Sequence, residues 1–235
     1  MNYQWAAATH RGRVRTNNED SYSPEASGRG PGPVLVMVAD GMGGAVGGEV
    51  ASKTAVENAV VGGGNPAERA ERANQAVFEK TMNDPNLAGM GTTLTMVEFG
   101  TDGLARMAHV GDSRAYIWHD GEIKQITDDH TLIAEHLAAG RISENDAASH
   151  PQRSVLTRVL GIGPDLEVDA MEIRVAPGDR FLICSDGLTN MVGDEQIADV
   201  LAAGTPEEVA WTLVEQANRA GGHDNVTVVV VDVEP

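Results

Sequence analysis

The stretch VLVMVAD, residues 34–40, sets the pattern of this chain, because it is an apolar run that ends in a carboxylate. Apolar runs of this length predict buried strands, and a carboxylate directly after a strand lies at a sheet rim, where neighbouring strand ends converge. The arrangement recurs with Asp112 after MAHVG, Asp186 after FLICS and Asp224 before NVTVVVV. Clustered carboxylates raise one another's pKa unless cations hold them. The pattern therefore predicts an enzyme with a metal site of oxygen ligands.

Charge and size exclude several classes of protein. The chain has 235 residues, and 17 Lys and Arg against 35 Asp and Glu give a net charge of −18. Binding to nucleic acid or to an anionic membrane needs concentrated positive charge, so neither is expected as a partner. The length suits one domain over residues 1–235.

Cysteine content and targeting signals point to a reducing compartment. Cys184 stands alone, which rules out an intrachain disulfide and a cysteine zinc site. The N-terminal MNYQWAAATHRGRVR lacks the apolar core of a signal peptide, and no segment approaches the ~20 consecutive apolar residues of a membrane span. We therefore expect a soluble, cytoplasmic protein, and a monomer.

The periodicity predicts strands, two helices, more strands, two further helices and a last strand. Asn65 is the expected N-cap of one helix, with Pro66 in its first turn, and Thr205 and Glu208 form a capping box on another. This order cannot give alternating βαβ units, so we expect an α+β fold, a four-layer α-β-β-α sandwich with two mostly antiparallel central sheets flanked by helix pairs. The predicted strands are 3–9, 34–39, 92–99, 103–110, 115–118, 122–127, 167–175, 180–185 and 225–233, and the predicted helices are 47–61, 65–83, 194–203 and 206–219.

Two parts of the chain fall outside this pattern. Residues 11–33, with RGRVRTNNEDS and the Pro/Gly stretch PEASGRGPGP, are predicted as turn and loop. Residues 130–165 combine short helical pieces with the turn-rich HPQRSVLTRVLGIGPD, which predicts an excursion over the sheet edge.

A glycine-rich loop, GMGGAVGGE at 41–49, directly follows Asp40. A dinucleotide fingerprint would need a third glycine where Val46 stands, and no Gly-Lys-Ser/Thr follows. Glycines behind a ligand aspartate instead let the backbone approach an ion, which makes the Gly41 carbonyl a candidate ligand. All-oxygen ligands suit magnesium or manganese, and two such ions ~3.5–4 Å apart can share a hydroxide that attacks phosphorus in line.

Seven ordered motifs resemble those of the metal-dependent type 2C serine/threonine protein phosphatases in their bacterial form. They are RTNNED at 15–20, ADGMGG at 39–44, MGTT at 90–93, VGDSR at 110–114, HPQRSVLTRVLG at 150–161, CSDGLT at 184–189 and GGHDNVT at 221–227. The resemblance covers nearly the whole chain. It implies hydrolysis of phosphoserine and phosphothreonine on proteins modified by Ser/Thr kinases, through attack by a water that bridges two Mn²⁺ or Mg²⁺ ions, without a covalent phospho-enzyme.

The resemblance also implies a ligand set for the two core ions. Asp40 would bridge both ions, and Asp186 and Asp224 would complete one of them. Glu19 and the Gly41 carbonyl would reach the other, mostly through waters.

Further roles follow from the same resemblance. Asp20 would orient metal-bound water, and Asp112 with Asp186 would hold a third, weaker ion. Arg15 matches the phosphate-binding arginine, and the chemistry agrees, since a guanidinium can grip two phosphoryl oxygens. Its alternative is a solvated loop arginine.

The excursion at 130–165 corresponds to the mobile flap of the family, which contacts protein substrates. Arg153 and Arg158 are candidate substrate contacts there, with salt bridges within the flap as the alternative. The seven histidines show no metal-ligand spacing and are interpreted as structural, with His130 and His150 the ones to test.

The chain departs from the family pattern at three positions. Met42 and Ala45 stand where animal and bacterial members often have histidine, so no side chain is assigned as general acid. Asn190 stands where the family often has aspartate, which predicts weaker contacts around Asp186.

The sequence suggests two alternative functions. A non-catalytic phosphoprotein-binding or regulatory module of the same fold is favoured only by Ala45 and Asn190. A nucleotide-binding oxidoreductase fails on the glycine spacing of residues 41–49.

Overall fold

Two antiparallel sheets face each other across the centre of the molecule. The computed structural model describes residues 1–148 and 150–235, and within them the side chains of all but Ala45, Glu144 and Ala148. Every strand pairing among the described residues is antiparallel. No helix in these ranges has both the length and the apolar character needed to cross a bilayer.

The first sheet contains six strands. Its centre is the last strand of the chain, which pairs with the first strand on one side and with a strand from the C-terminal third on the other. In spatial order the strands are β3 (Gly28–Pro31), β1 (Asn2–His10), β12 (Val226–Glu234), β11 (Arg180–Cys184), β8 (Arg114–His119) and β9 (Glu122–Gln125).

The second sheet is built around the strand that carries the VLVMVAD stretch. In spatial order it contains β10 (Asp169–Arg174), β7 (Leu104–Val110), β6 (Leu94–Phe99), β4 (Val34–Met42) and β2 (Asp20–Ser23), and the short β5 (Gly91–Thr92) pairs with the end of β4.

Helices cover the outer face of each sheet. Against the second sheet pack α1 (Gly44–Val60) and α2 (Pro66–Asn83), which is followed by a 3-10 turn (Pro85–Leu87). Against the first sheet pack α5 (Asp186–Thr189), α6 (Asp194–Leu201) and α7 (Pro206–Arg219). The predicted capping boxes are present, Asn65 with Glu68 and Thr205 with Glu208.

The core has three layers, which explains the apolar runs. Along β12, Val228 and Val230 pack with the helices of the first sheet, whereas Val229 and Val231 pack between the two sheets. A strand covered on both faces has no solvent side, so it reads as a continuous run rather than an alternation. The layering confirms the predicted four-layer sandwich with two antiparallel central sheets.

The prediction for residues 11–33 was wrong in part, because β2 and β3 are strands. Both lie at sheet edges and consist of polar residues, glycine and one proline, so neither has an apolar pattern. Gly28 of β3 lies against the Trp5 indole, where any side chain would collide with the ring. An edge strand needs only backbone hydrogen bonds on one side, and no composition signal marks it.

The segment 130–165 connects β9 to β10. It contains α3 (Leu132–Ala138) and α4 (Glu144–Ala148). Its described part holds no extended strand, only two isolated bridges, Thr131 with Leu156 and Thr92 with Leu160. The segment therefore leaves the sheets and returns, as the sequence predicts.

Candidate metal centre

The predicted acidic residues meet at one end of the sandwich, where strands of both sheets begin or end. Asp40 lies near the end of β4, and its cross-strand neighbour Asp20 opens β2. Asp186 follows β11 and begins α5, and Asp224 precedes β12. Asp112 lies in the turn that passes from β7 in one sheet to β8 in the other. Strand ends thus bring together carboxylates that are up to 204 positions apart, from Asp20 to Asp224.

Asp40 is held by a pair of threonines. Thr93 donates its N–H to the Asp40 carbonyl at 2.9 Å, and its Oγ1 accepts the Asp40 N–H at 2.9 Å. Thr92 Oγ1 also donates to the Asp40 carbonyl at 2.9 Å. The MGTT motif therefore fixes the backbone from which the Asp40 carboxylate projects.

Asn225 anchors the loop that carries Arg15 and Glu19. Its Oδ1 accepts the Glu19 N–H at 2.8 Å, and its Nδ2 donates to the carbonyls of Arg11 and Asn17 at 3.0 and 2.8 Å. Asn225 is 4% exposed. A loop without regular structure is thereby tied to the start of β12, next to Asp224.

The glycines behind Asp40 allow a close approach of the backbone. Gly41 donates its N–H to the Glu19 carbonyl at 3.1 Å, and a side chain at Gly41 would collide with the Gly48 carbonyl. A Cβ on Gly48 would in turn lie 2.5 Å from Glu19 Oε2. The glycine spacing thus serves the packing of α1 against the Glu19 loop.

These residues line a cavity of about 470 Å³. Its wall includes every predicted ligand, together with Arg15 and Met42. The predicted residues on this wall are Arg15, Glu19, Asp40, Gly41, Asp112, Asp186 and Asp224. Asp20 is 8% exposed and does not line the cavity; it lies behind Asp40, where Ser185 Oγ donates to its Oδ2 at 2.8 Å.

The clustered carboxylates have too little positive charge nearby to balance them. Burial raises the pKa of Asp40 well above its ordinary value, and the neighbouring Asp20 and Asp186 raise it further. Burial also raises the pKa of Asp20 to about 7 and that of Asp112 to about 7. For Asp186, burial and the Asp224 charge raise the pKa. A cation among these groups would reverse the shifts, because it favours the ionised carboxylates.

Arg15 supplies the positive charge nearest to the cluster. Its Nη2 donates to Asp224 Oδ2 at 2.7 Å, and this hydrogen bond raises the pKa of Arg15. The Arg15 side chain is 52% exposed, so its guanidinium faces the open cavity. It is therefore placed to meet an anion that enters.

The donor set fits hard divalent cations. Five carboxylates and the candidate ligand Gly41 line one cavity, and the buried Asp20 Oδ1 has no hydrogen-bond partner among the described residues. Oxygen donors of this kind are the ligands that Mg²⁺ and Mn²⁺ prefer. Within the described residues, no group of three or more His, Cys, Asp or Glu side chains is already arranged to hold an ion. The carboxylates thus line the cavity, and ligation would require their side chains to adjust around an ion.

A second cavity, of about 630 Å³, lies beneath the segment 130–165. It shares Asp112, Ser154 and Asp186 with the first cavity. Arg153 lines it, on the flap side. The two cavities therefore adjoin, with the flap as the wall of the second.

Arg158 is not brought to either cavity. Its guanidinium pairs with Asp169 at 2.8 Å and with Glu167 at 3.0 Å. Arg158 therefore forms salt bridges, as the alternative predicts, but its partners follow residues 130–165 and do not lie within them. This geometry gives no support to substrate binding by Arg158.

Two of the departures from the family pattern have visible consequences. Asn190 Nδ2 donates to Asp186 Oδ2 at 2.9 Å, so the amide reaches the carboxylate, and the weaker contact expected around Asp186 stays a prediction. Among the described residues that line the first cavity there is no histidine. Met42 takes part in that wall, and the side chain of Ala45 lies outside the described part of the chain.

Sequence reasoning missed the residues that hold the ligands in place. Thr93, Ser185 and Asn225 each bond to a predicted site residue, Asp40, Asp20 and Glu19 respectively, and are buried. Thr93 and Asn225 fall inside the motifs MGTT and GGHDNVT, and Ser185 inside CSDGLT. These anchors could have been recognised as polar residues within the motifs, at positions where the strand pattern predicts burial.

Comparison with known proteins agrees with this geometry. The family model described as "Protein phosphatase 2C" matches residues 8–219. The serine/threonine protein phosphatase PstP of Mycobacterium tuberculosis is 43% identical over 98% of this chain, which spans 45% of that relative. The serine/threonine phosphatase stp of Listeria monocytogenes is 36% identical over 95% of this chain and 93% of its own length.

Solved structures are similar over the whole fold. The crystal structure of the Mycobacterium tuberculosis phosphatase PstP/Ppp superposes with a TM-score of 0.90 at 39% identity and covers 100% of both chains. A PstP catalytic domain in complex with two manganese ions has a TM-score of 0.88 at 37% identity, over 100% of this chain and 99% of that one. With the motif order, the sandwich and the acidic rim in agreement, this chain belongs to the protein phosphatase 2C family.

Proposed function

We propose that this chain is a metal-dependent serine/threonine protein phosphatase that hydrolyses phosphoserine and phosphothreonine without a covalent phospho-enzyme. The observation that carries the proposal is the convergence of five carboxylates and Arg15 on one cavity. This chain spans 45% of the length of the Mycobacterium tuberculosis relative. The activity and substrates of that longer protein are therefore assigned to this chain only as a proposal.

The cations are proposed on the chemistry of the donors. Asp40, Asp186 and Asp224 would hold one of two Mn²⁺ or Mg²⁺ ions, and Glu19 and the Gly41 carbonyl the other, with Asp40 shared. Such ions supply the charge that makes a water nucleophilic near neutral pH and that stabilises a transferring phosphoryl group. The related PstP domain with two manganese ions supports this count.

A third, weaker ion is proposed at Asp112 with Asp186. Both residues line both cavities, and the raised pKa of Asp112, which burial causes first and Asp186 second, is the signature of a carboxylate that a cation would stabilise.

Arg15 is proposed to bind the phosphoryl group. A guanidinium can donate two parallel hydrogen bonds to phosphoryl oxygens and stabilise charge as it builds there. Asp224 holds the guanidinium at the cavity until substrate arrives. Asp20, behind Asp40, is proposed to accept a hydrogen bond from the attacking water and so orient it.

No protein side chain is proposed as general acid. The described wall of the cavity contains no histidine, so the leaving serine or threonine oxygen would take its proton from water. The rate should then depend on the leaving group, with phenolic phosphates less demanding than alkyl phosphates.

The whole of residues 1–235 is proposed to act as one domain, with residues 130–165 as a flap over the substrate. The expected partners are proteins that Ser/Thr kinases have phosphorylated. Arg153, on the wall of the second cavity, is the flap residue proposed to contact them. A monomer in a reducing, cytoplasmic setting remains the expectation.

The test is hydrolysis of a phosphothreonine peptide in excess Mn²⁺, with and without chelator. Activity that survives complete chelation would contradict the mechanism. Asp40→Asn should lose both turnover and Mn²⁺ binding measured by titration calorimetry, because its backbone anchors remain but its charge is gone. Asp199→Asn, at an exposed position on α6, is the matched control and should keep both.

The non-catalytic alternative gives a different result in the same experiment. A phosphoprotein-binding module would bind the phosphopeptide tightly and release no phosphate even at saturating Mn²⁺. That outcome with the unaltered protein would replace the phosphatase proposal.

A further inference from the structure

His130 is the first residue of the flap and lies behind the two cavities, not in them. Its side chain is 6% exposed. It lines neither cavity, so it has no direct role in the proposed chemistry. Its contacts nevertheless reach both the metal centre and the flap.

The backbone of His130 closes the flap at its root. His130 donates its N–H to the Gly111 carbonyl at 2.8 Å, and its own carbonyl accepts the Thr157 N–H at 2.9 Å. The next residue, Thr131, forms a bridge with Leu156. The outgoing and returning chains of the flap therefore meet at His130.

The His130 ring admits one tautomer. Gly111 donates its N–H to Nδ1 at 3.1 Å, so Nδ1 must be an acceptor. Nε2 then carries the hydrogen and donates to Asp169 Oδ2 at 3.1 Å. Arg158 Nη1 also lies 3.3 Å from Nε2, but two donors cannot bond to each other, so its hydrogen bond goes to Asp169 Oδ1 instead. Asp169, on β10, also accepts from Arg158 at 2.8 Å, and the ring lies against His109 with centroids 4.7 Å apart. Nδ1 therefore accepts a hydrogen bond from Gly111, and Nε2 donates one to Asp169.

Gly111 connects His130 Nδ1 to the metal centre, because it packs against Thr93 and precedes Asp112. It has a φ of 111°, and a Cβ there would lie 2.5 Å from Thr93 Cγ2. Thr93 holds the Asp40 backbone on both its N–H and its carbonyl, and Asp112 follows Gly111 in the chain. A displaced Gly111 would therefore move Asp112 directly and Asp40 through Thr93.

We propose that His130 is a positioning residue whose two ring nitrogens act separately. Nδ1 holds the Gly111 turn so that Asp112 and Asp40 are positioned to bind cations. Nε2, through Asp169, holds the start of the flap in the position that binds a protein substrate. The inference rests on the proposed phosphatase function.

Two substitutions of His130 separate the roles of its two ring nitrogens, and a third substitution removes the partner of Nε2. His130→Asn places an amide oxygen where Nδ1 accepts but is too short to reach Asp169. His130→Gln extends an amide nitrogen toward Asp169 but withdraws the acceptor from Gly111. Asp169→Ala removes the Nε2 partner without changing the ring. It also removes one partner of Arg158, which keeps its ion pair with Glu167.

His130→Asn and Asp169→Ala should keep Mn²⁺ affinity in titration calorimetry and raise KM for a phosphothreonine protein about tenfold, with KM for p-nitrophenyl phosphate little changed. Hydrogen exchange at the Thr157 amide should become faster in both. His130→Gln should weaken Mn²⁺ binding by roughly 10-fold or more, as changes in outer partners of metal ligands do, and lower kcat on both substrates.

His136→Asn is the matched control, a flap histidine whose side chain makes no hydrogen bond or ion pair in the described part of the chain. It should match the unaltered protein in every measurement. The proposal is overturned if His130→Asn and His130→Gln change the same quantities, if Asp169→Ala fails to follow His130→Asn, or if no variant differs from the control. Calorimetry and hydrogen exchange decide these points even if the unaltered protein proves to have no phosphatase activity.

Discussion

At the scale of single residues, the groups that anchor the site are as important as those that face the cavity. Asp40 and Glu19 project from backbone that Thr93 and Asn225 hold by hydrogen bonds of 2.8 to 2.9 Å, and the Asn225 N–H donates to Asp224 Oδ1 at 2.8 Å. Ligand carboxylates repel one another, so they tend to separate unless such anchors keep them in place. Precise anchoring of this kind is what allows a site to bind cations without reorganising its backbone.

Arg15 is the residue whose loss should affect catalysis most without loss of metal. Arg15→Lys keeps the charge but loses the paired donors, so kcat/KM for a phosphothreonine peptide should fall by roughly 10²-fold. Mn²⁺ affinity should change little. Arg29→Lys, in a surface pair with Glu234, is the control, and a loss of equal size there would point to a general effect on the fold.

Asn225 should matter to stability as well as to activity. Asn225→Ala removes three hydrogen bonds from a buried side chain and should lower the free energy of unfolding by about 2–3 kcal/mol. Turnover should fall too, because the Arg15 and Glu19 loop loses its anchor. Urea unfolding and steady-state kinetics measure both.

The comparison for Asn225 is Asn58→Ala. Asn58 makes one hydrogen bond to Thr54 within α1. The stability change there should be under about 1 kcal/mol. Equal losses at the two positions would contradict the anchoring role of Asn225.

At the scale of elements, local signals predicted most of the helices and the buried strands. The caps at Asn65 and Thr205 are where the sequence places them, because capping depends on side chains a few residues apart. The edge strands β2 and β3 were missed, since their hydrogen bonds depend on neighbours distant in sequence. Asp20, a proposed site residue, opens β2 and takes its position from that unpredicted pairing with β4.

The N-cap of α7 gives a test at this scale. Thr205→Ala removes the Oγ1 that accepts the Glu208 N–H at 3.3 Å and should lower stability by about 1 kcal/mol. Phosphatase activity should be unchanged, because α7 packs on the first sheet away from the cavity. Thr212→Ala, within the same helix, should have a smaller effect on the melting temperature, and a larger effect would contradict the cap argument.

At the scale of the whole molecule, the acidic cluster is built from both sheets, each of which contributes part of it. Asp186 and Asp224 come from the first sheet, and Asp20 and Asp40 from the second. Their charges are part of a net charge of −18. Bound cations would therefore stabilise the fold as well as the site.

This coupling predicts a pH dependence of stability in metal-free protein. Burial raises the pKa of Asp20 and of Asp112 to about 7, so the folded state binds more protons than the unfolded state up to that pH. The free energy of unfolding should then fall as pH rises from 6.5 to 8. His109, whose pKa burial lowers to about 4, is still partly protonated in the unfolded chain near pH 6.5 and so opposes the trend there, but it is one group against the two carboxyls.

Manganese should remove that trend. At pH 8, Mn²⁺ at 100 times its dissociation constant should add about 2.7 kcal/mol to the free energy of unfolding. Urea unfolding at pH 6.5 and 8, with and without Mn²⁺, measures both effects. Metal-free stability that rises with pH, or a protein that Mn²⁺ leaves unchanged, would contradict a carboxylate cluster held by cations.

The sequence alone determined the identity of the acidic residues, the buried strands and the order of layers, because apolar runs, caps and strand-end carboxylates are local patterns. The tertiary structure decided which polar residues anchor the ligands, where the edge strands lie, and that Arg158 pairs with Asp169 while Asn190 still reaches Asp186. Those features depend on contacts between residues far apart in the chain, and no local pattern records them.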